Sequence, residues 1–263
     1  MHLIDTEINY LSYHIYYNCD FIDFMINSFS PLINQIKKNE QTNKISFFYV
    51  NYKDDFGMHI RLRIKGITEI ELKNALKQFG LLNYKNEKYF PETERYGGES
   101  NIHYAELFFE ANSNILLEIF SENPTWNYNN SLMFSIVFQE IILEINKINV
   151  YDFSEKYFGV WIEFSLAISS EKNVESTINY FEKKYNLLKD KLIANLNQMR
   201  PRISDLSLKY NHLIFYKKIQ NWSIKNKTDF LQGLIHMNNN RLGIKNHDES
   251  FLSFLLMKIH ENK

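Results

Sequence analysis

Residues 58–65, MHIRLRIK, alternate between apolar and polar side chains with a period of two. Because successive side chains of a β-strand point to opposite faces, one face would carry Met58, Ile60, Leu62 and Ile64, and the other His59, Arg61 and Arg63. The segment therefore predicts a strand that packs its apolar face on helices and gathers basic groups on the opposite face.

The flanking segments extend this strand into a sheet. Further strand patterns lie at 9–18, 45–52 and 83–90, with a turn at 53–57 that makes the middle pair a hairpin. A helical period runs through 20–39, where Pro31 predicts a kink or break. A second helix begins at the Thr68–Glu71 capping box and ends at Gly80. The order β-α-β-β-α-β is typical of a ferredoxin-like split βαβ unit.

The rest of the chain favours helices. They are expected at about 102–121, 130–148, 152–169, 172–199, 203–222, 227–241 and 247–261. We therefore predict an α+β fold, an N-terminal ferredoxin-like unit followed by a mainly helical C-terminal half. We expect a single domain over 1–263, with a sheet portion at 1–98 and a helical portion at 99–263.

Composition excludes several classes of protein. Thirty basic residues against 31 acidic ones give a net charge of −1, without the basic excess of a nucleic-acid binder. A single cysteine, Cys19, cannot form an internal disulfide or an all-cysteine metal site. Residues 1–8 lack a signal-peptide pattern, and no apolar stretch is long enough to span a membrane. We expect a cytoplasmic protein that binds no nucleic acid directly.

Two arginines on one strand face are the first candidate site. Arg61 and Arg63 would lie roughly 7 Å apart along the strand. Like charges at that spacing repel each other unless solvent or an anion intervenes. The face could be solvated, or it could bind a carboxylate or phosphate, which guanidinium forks match well. Both interpretations are open from this strand alone.

Two further segments carry polar groups in unusual settings. In YFPETERYGG, residues 89–98, Glu92, Arg95 and Tyr96 stand before a Gly-Gly pair that permits special backbone conformations; an ordinary charged loop is the alternative. In LIHMNNNRLG, residues 234–243, His236 and Asn240 share a helix face, and a structural histidine is the alternative. No second ligand stands at metal spacing, and the chain has neither a phosphate loop nor a dinucleotide fingerprint.

Together these segments resemble the elimination domain of class I lanthipeptide dehydratases, which also occurs as a stand-alone "thiopeptide-type bacteriocin biosynthesis" protein. The resemblance covers most of the chain: SPLINQI, FFYVNYKDDFGMHIRLRIKG, YFPETERYGG, AELFFEANS and LIHMNNNRLG. Two positions depart from the family pattern. Asn51 stands where the family usually has Arg, and Asn112 where it usually has Asp.

The resemblance implies a function. Such a domain removes glutamate from glutamylated Ser or Thr of a precursor peptide that carries a leader. A separate protein would attach the glutamate with glutamyl-tRNA. Arg61, Arg63 and Arg95 would bind carboxylates, Glu92 would contact the glutamyl ammonium, and His236 would transfer the proton. Weaker candidates for contacting or orienting the substrate are Tyr96, Asn240 and His59. No metal and no cofactor is implied, and the oligomeric state, a homodimer included, stays open.

Two other functions compete with elimination. One is the related pyridine synthase, which joins two dehydroalanines in a formal [4+2] cycloaddition. That enzyme has no glutamate to bind, so the arginine and histidine set favours elimination. The other is a non-catalytic subunit that presents the precursor peptide to the glutamylating protein.

Overall fold

A computed structural model describes residues 10–39, 45–168, 173–210, 219 and 221–261. The chain divides into two compact units. We call Met1–Glu92 with Asn112–Thr125 the N-terminal unit, and Thr93–Ala111 with Trp126–Lys263 the helical unit. The N-terminal unit carries a four-stranded sheet and the helical unit is built of helices, so the predicted α+β class is confirmed.

The sheet of the N-terminal unit has the strand order of a ferredoxin-like fold. Its antiparallel strands are β1 (Leu11–Tyr16), β2 (Ser46–Asp54), β3 (Gly57–Lys65) and β4 (Tyr84–Asn86), arranged β2-β3-β1-β4. The hairpin of β2 and β3 is confirmed. Strand β4 is an edge strand as predicted, but it is shorter than 83–90. After Asn86, the Glu87 N–H donates to the carbonyl of Ser12 at 3.1 Å.

The first helical segment continues through Pro31 without a break. It consists of α1 (Phe21–Phe24), a π-helical turn (Met25–Phe29) and α2 (Ser30–Asn39). Pro31 is the second residue of α2 and lies inside this continuous segment, where it lacks the N–H that would donate to the preceding turn. The π-helical turn just before it replaces the predicted break. Such a turn is a known means of bending a helix without ending it.

The second helix of this unit, α3 (Glu69–Gln78), is bounded as the sequence predicts. Thr68 Oγ1 accepts a hydrogen bond from the Glu71 amide at 3.3 Å, and the Glu71 carboxylate accepts one from the Thr68 amide at 2.9 Å. Both halves of the capping box are therefore present. Past the end of the helix, the Gly80 amide donates to the carbonyl of Lys77 at 3.0 Å.

One face of the sheet is the core of the N-terminal unit. Its fully buried side chains include Tyr13, Ile15, Phe47, Tyr49, Ile60, Leu62 and Ile64. The Tyr49 ring meets the Phe29 ring edge to face at 5.2 Å, and its amide donates to Ser113 Oγ at 3.3 Å. Since burying one such side chain contributes about 1.5–3 kcal/mol, this face stabilises the strand order and directs the basic groups to the other face.

The helical unit contains most of the remaining helices. They are the first part of α4 (Glu99–Glu122), which belongs to this unit up to Ala111, and all of α5 (Tyr128–Ile145), α6 (Val150–Ile168), α7 (Val174–Lys209), α8 (Ile224–Arg241) and α9 (Asn246–His260). Helix α9 packs along α6. No helix of the described residues is both long enough and apolar enough to cross a membrane.

The predicted break between helices 172–199 and 203–222 is wrong. Helix α7 continues through Pro201 to Lys209. A proline inside a helix removes one backbone hydrogen bond and clashes with the preceding turn. Leu196 and Ile203 are fully buried on either side of it, so tertiary packing offsets that cost. Of the second predicted helix, residues 211–218 and 220 lie outside the described residues.

Candidate functional site

His236 lies in α8 and contacts a glutamate of the next helix. Its Nδ1 is 2.6 Å from Oε1 of Glu249, and the Glu249 side chain is 1% exposed. The link between α8 and α9 is only four residues long, from Leu242 to Lys245. It closes through the Ile244 amide, which donates to the carbonyl of Asn239 at 2.9 Å. The sharp reversal brings two residues that are 13 apart in sequence into direct contact.

The second oxygen of Glu249 is also held. Oε2 accepts from the Tyr157 hydroxyl at 2.9 Å and from Asn239 Nδ2 at 3.0 Å. The ring of Trp161, one turn after Tyr157 on α6, stacks on the His236 ring with centroids 4.9 Å apart and an angle of 25°. We call His236, Glu249, Tyr157, Asn239 and Trp161 the histidine cluster. It draws on three helices, and every member except His236 is buried.

Arg95 lies near the histidine cluster within the same unit. Burial and the Glu249 charge raise the pKa of Tyr157 well above its usual range, and the Arg95 guanidinium opposes that shift. Arg95 belongs to a 3₁₀ turn, Glu94–Tyr96. With Trp222, Asp229 and other side chains it lines a cavity of about 460 Å³. The cavity is large enough for an amino-acid-sized group.

Two glycines fix the loop that carries Arg95. Gly97 has φ 80° and Gly98 has φ 96°, backbone conformations that other residues seldom adopt. A Cβ on Gly97 would lie 2.9 Å from Nδ2 of Asn101, which donates to the Gly97 carbonyl at 2.9 Å. The Gly-Gly pair therefore has the conformational role that the sequence predicts. Tyr96 is 3% exposed and packs edge-on against Phe109.

In the N-terminal unit, one sheet face collects the basic groups. Cross-strand pairs place Arg61 beside His14 and Arg63 beside Ser12. Arg61 lies over the Tyr52 ring at 3.4 Å from its centroid, and Arg63 over the Tyr89 ring at 5.1 Å. We call this side of the sheet the basic face. It lies opposite the packed core face, as the alternation in β3 predicts.

Arg63 is the most unusual group on the basic face. It is 8% exposed, and burial lowers its pKa to about 10. Its Nη1 donates to the Leu62 carbonyl at 3.1 Å, while its Nε meets no hydrogen-bond acceptor in the part of the chain that the structure describes. Among the described residues, neither Arg63 nor Arg61 makes an ion pair with a carboxylate. The face thus holds a largely buried guanidinium that is not paired with a carboxylate of the described residues.

Three side chains near these arginines have the spacing of a metal site. Ligand atoms of His14, Asp54 and His59 lie within 4.8 Å of one another. However, both nitrogens of His59 are engaged: Nδ1 is 3.2 Å from the Gly57 carbonyl, and Nε2 is 3.4 Å from Nε of Arg61. The Arg61 charge also opposes a cation. We assign the fully buried His59 to orienting Arg61.

Glu92 and Asn240 are the remaining predicted site residues. Glu92 is exposed at the end of the N-terminal unit, and Asn240 is half-buried in α8. The asparagine that bonds Glu249 is Asn239, one residue before Asn240. Arg241 of the same motif is fully buried and lies over the Phe109 ring at 4.3 Å from its centroid. It therefore supports the position of α8.

Glu249, Tyr157, Asn239 and Trp161 are site residues that the sequence patterns did not predict. Glu249 stands near the start of α9, where acidic side chains are common because they favour the helix dipole. Tyr157 and Trp161 look like ordinary apolar positions of α6. The one available signal was the run Asn238–Asn240 beside His236, because adjacent asparagines on a largely buried helix need polar partners.

Comparison with known proteins places this architecture in a family. The family model described as the lantibiotic biosynthesis dehydratase C-terminal region matches residues 11–259. Nisin biosynthesis protein NisB of Lactococcus lactis subsp. lactis is 26% identical over 253 residues, which are 88% of this chain and 23% of NisB. The chain therefore spans about a quarter of the length of that relative.

Solved structures share the fold at low identity. TsrL matches with a TM-score of 0.62 and 13% identity, over 96% of this chain and 94% of its own. The pyridine synthase TbtD from thiomuracin biosynthesis matches with a TM-score of 0.55 and 10% identity, over 96% of this chain and 97% of its own. The tRNA-dependent lantibiotic dehydratase MibB from Microbispora sp. 107891 matches with a TM-score of 0.53 and 14% identity, over 98% of this chain and 28% of its own.

Proposed function

The chain belongs to the lantibiotic biosynthesis dehydratase C-terminal family, and on that premise we propose that it eliminates glutamate from glutamylated Ser or Thr of a ribosomally made precursor peptide. A base removes the Cα proton, and the freed electron pair forms the Cα=Cβ bond. The Cβ–O bond breaks and glutamate leaves as a carboxylate. The products are dehydroalanine from Ser and dehydrobutyrine from Thr.

The buried guanidinium of Arg63 carries this proposal. Burying a cation without an opposite charge beside it costs several kcal/mol, and a bound carboxylate would supply that charge. A glutamyl group offers a carboxylate that two neighbouring guanidiniums can bind by charge-assisted hydrogen bonds. Arg61 and Arg63 would bind it, with His59 orienting Arg61 through the 3.4 Å contact.

His236 would transfer the proton. Imidazole titrates near neutral pH and is the commonest proton carrier in enzymes. His236 is held by Glu249 and Trp161, as a positioned acid–base group requires. Arg95 would bind a carboxylate of the substrate, and Glu92 the glutamyl ammonium. Tyr96 and Asn240 are weaker candidates for orienting the peptide.

The proposal includes two partners. One is the precursor peptide with its leader, and the other is a separate protein that transfers glutamate from glutamyl-tRNA. This protein alone should leave an unmodified precursor unchanged. Dehydration should appear when the glutamylating protein, glutamate, ATP, tRNA and its synthetase are added. Mass spectrometry that finds dehydration of the bare peptide by this protein alone would contradict the proposal that a separate protein must first attach glutamate.

Replacing His236 with Ala tests the proposed chemistry. Glutamylated peptide should accumulate, with one glutamyl mass per stalled site, because loss of an acid–base group slows a reaction about 10²–10⁴-fold. His260→Ala is the matched control, since His260 also contacts a buried glutamate, with Nε2 2.8 Å from Glu140. Equal elimination by the His236→Ala variant and wild type would exclude this role for His236.

A pyridine synthase is the second candidate, because the chain matches TbtD over 97% of that chain. A synthetic peptide bearing two dehydroalanines separates the two functions. Formation of a six-membered ring from that peptide, without elimination from a glutamylated one, would favour cycloaddition. Binding of the precursor with neither reaction would favour the non-catalytic presenting subunit.

A further inference from the structure

The carboxylate of Glu249 is surrounded by donors whose orientation the neighbouring residues define. Ser135 Oγ donates to Oδ1 of Asn239, and Asn238 Nδ2 donates to the same atom at 3.4 Å. Because two donors meet Oδ1, the Asn239 amide must point its NH₂ group the other way, towards Glu249. Gln139 Nε2 holds Ser135 Oγ in turn, at 3.0 Å. Each hydrogen bond in this series, from Gln139 through Ser135 and Asn239 to Glu249, thus has a defined donor and acceptor.

Tyr157 is the second fixed donor. Its hydroxyl is 2.9 Å from Oε2 of Glu249, and burial, with Glu249 adding to it, raises its pKa well above the usual range. The phenol therefore keeps its hydrogen and donates it. Oε2 accepts from both Tyr157 and Asn239, so Glu249 acts as an acceptor on that side.

These contacts determine which nitrogen of His236 carries hydrogen. Oε1 of Glu249 faces Nδ1 at 2.6 Å, and an acceptor at that distance needs a donor opposite it. The hydrogen of a neutral His236 ring therefore lies on Nδ1, and the lone pair lies on Nε2. Nε2 makes no hydrogen bond to any described residue. The side chain is 14% exposed, and stacking on Trp161 fixes its plane.

We infer that Glu249 is the positioning residue that locks His236 in the Nδ1–H tautomer and so makes Nε2 the general base. The inference rests on the proposed elimination and adds an assignment to it. Nε2 takes the Cα proton, the C–H electron pair forms the double bond, and glutamate leaves. The imidazolium that results is stabilised by the Glu249 carboxylate, as in other histidine–carboxylate pairs.

Nuclear magnetic resonance tests the tautomer without any assay of activity. In protein labelled with ¹⁵N at its 8 histidines, His236 signals are assigned by their loss in His236→Gln. In wild type, Nδ1 should give the shift of a protonated ring nitrogen and Nε2 that of an unprotonated one. In Glu249→Gln the amide can also donate, so this preference should be lost. A wild-type ring with hydrogen on Nε2 would overturn the inference.

Kinetics with glutamylated peptide test the consequence. Glu249→Gln should lower kcat about 10²–10⁴-fold, the range for a wrong tautomer or a missing base, with KM changed less than about threefold. Glu140→Gln is the matched control: Glu140 is also a buried glutamate that contacts a histidine, and kcat should stay within about twofold. Tyr157→Phe, which removes one donor from Oε2, should give a smaller loss of kcat.

The two failures can be told apart. Normal kcat in Glu249→Gln with wild-type elimination intact would refute the positioning role and leave the proposed function standing. An Nδ1–H tautomer in a protein that never eliminates glutamate would refute the proposed function, and with it the assignment of Nε2 as the base. If Glu249→Gln does not fold, the wild-type spectrum and the Tyr157→Phe kinetics still decide the matter.

Discussion

Replacing Arg200 with Met should destabilise the helical unit, because Arg200 neutralises a buried carboxylate. Glu140 of α5 is 4% exposed, and Arg200 of α7 holds it through Nε at 3.0 Å and Nη2 at 2.8 and 2.9 Å. His260, the last residue of α9, approaches the same carboxylate at 2.8 Å. One buried carboxylate thus links three helices.

The size of the effect follows from this geometry. Removing one partner of a buried pair typically costs about 3–5 kcal/mol. Arg200 is 33% exposed and His260 stays in place, so we expect a cost below that range, about 2–3 kcal/mol. At roughly 2–4 °C per kcal/mol for a protein of this size, Tm should fall by about 4–12 °C.

The loss of stability in Arg200→Met should depend on pH. Burial alone would raise the pKa of Glu140, but the bonds from His260 and Arg200 outweigh it and hold the pKa below its usual range. A depressed folded-state pKa means that the stabilisation is present above the unfolded-state pKa, about 4.3. It is lost as pH falls through the lower folded-state value. The Arg200→Met deficit should be full at pH 7 and shrink in acid.

A double-mutant cycle with thermal and urea unfolding checks the reasoning. In a Glu140→Gln background the buried charge is gone, so Arg200→Met should cost much less than in wild type. An equal cost in the two backgrounds, or a wild-type deficit that does not change with pH, would show that the ion pair does not stabilise the unit.

Two smaller predictions follow from the site. Arg61→Lys should lower kcat/KM for glutamylated peptide about 10–100-fold, since an ammonium cannot reproduce the guanidinium fork. The same exchange at exposed Arg202 should have little effect. Equal kinetics for the two variants would count against binding of a substrate carboxylate by Arg61. Gly97→Ala should destabilise the protein by about 1–2 kcal/mol, because Gly97 has a positive φ and its new Cβ would lie 2.9 Å from Asn101. Gly159→Ala lies inside α6 with nothing within 4 Å of the new Cβ, so it should stabilise the protein by about 1 kcal/mol. Unfolding curves that reverse this order would show that the backbone conformation of Gly97 does not require glycine.

The sequence alone determined the features whose causes are local. The period of two in MHIRLRIK separated the packed face from the basic face, because successive side chains of a strand point to opposite faces of the sheet. The Thr68–Glu71 capping box and the positive φ of Gly97 likewise follow from chemistry within a few residues. These patterns could be recognised without knowing what packs against them.

The tertiary structure alone decided which polar groups meet. The partner of His236 is Glu249, set by the length of the α8–α9 link, and its donors come from α6 and α8. Helix α7 passes through Pro201 because packing of distant apolar residues outweighs the local cost of proline. Hydrogen-bond partners across helices depend on packing geometry rather than on sequence neighbours, so local patterns could place His236 on its helix but not the carboxylate that orients it.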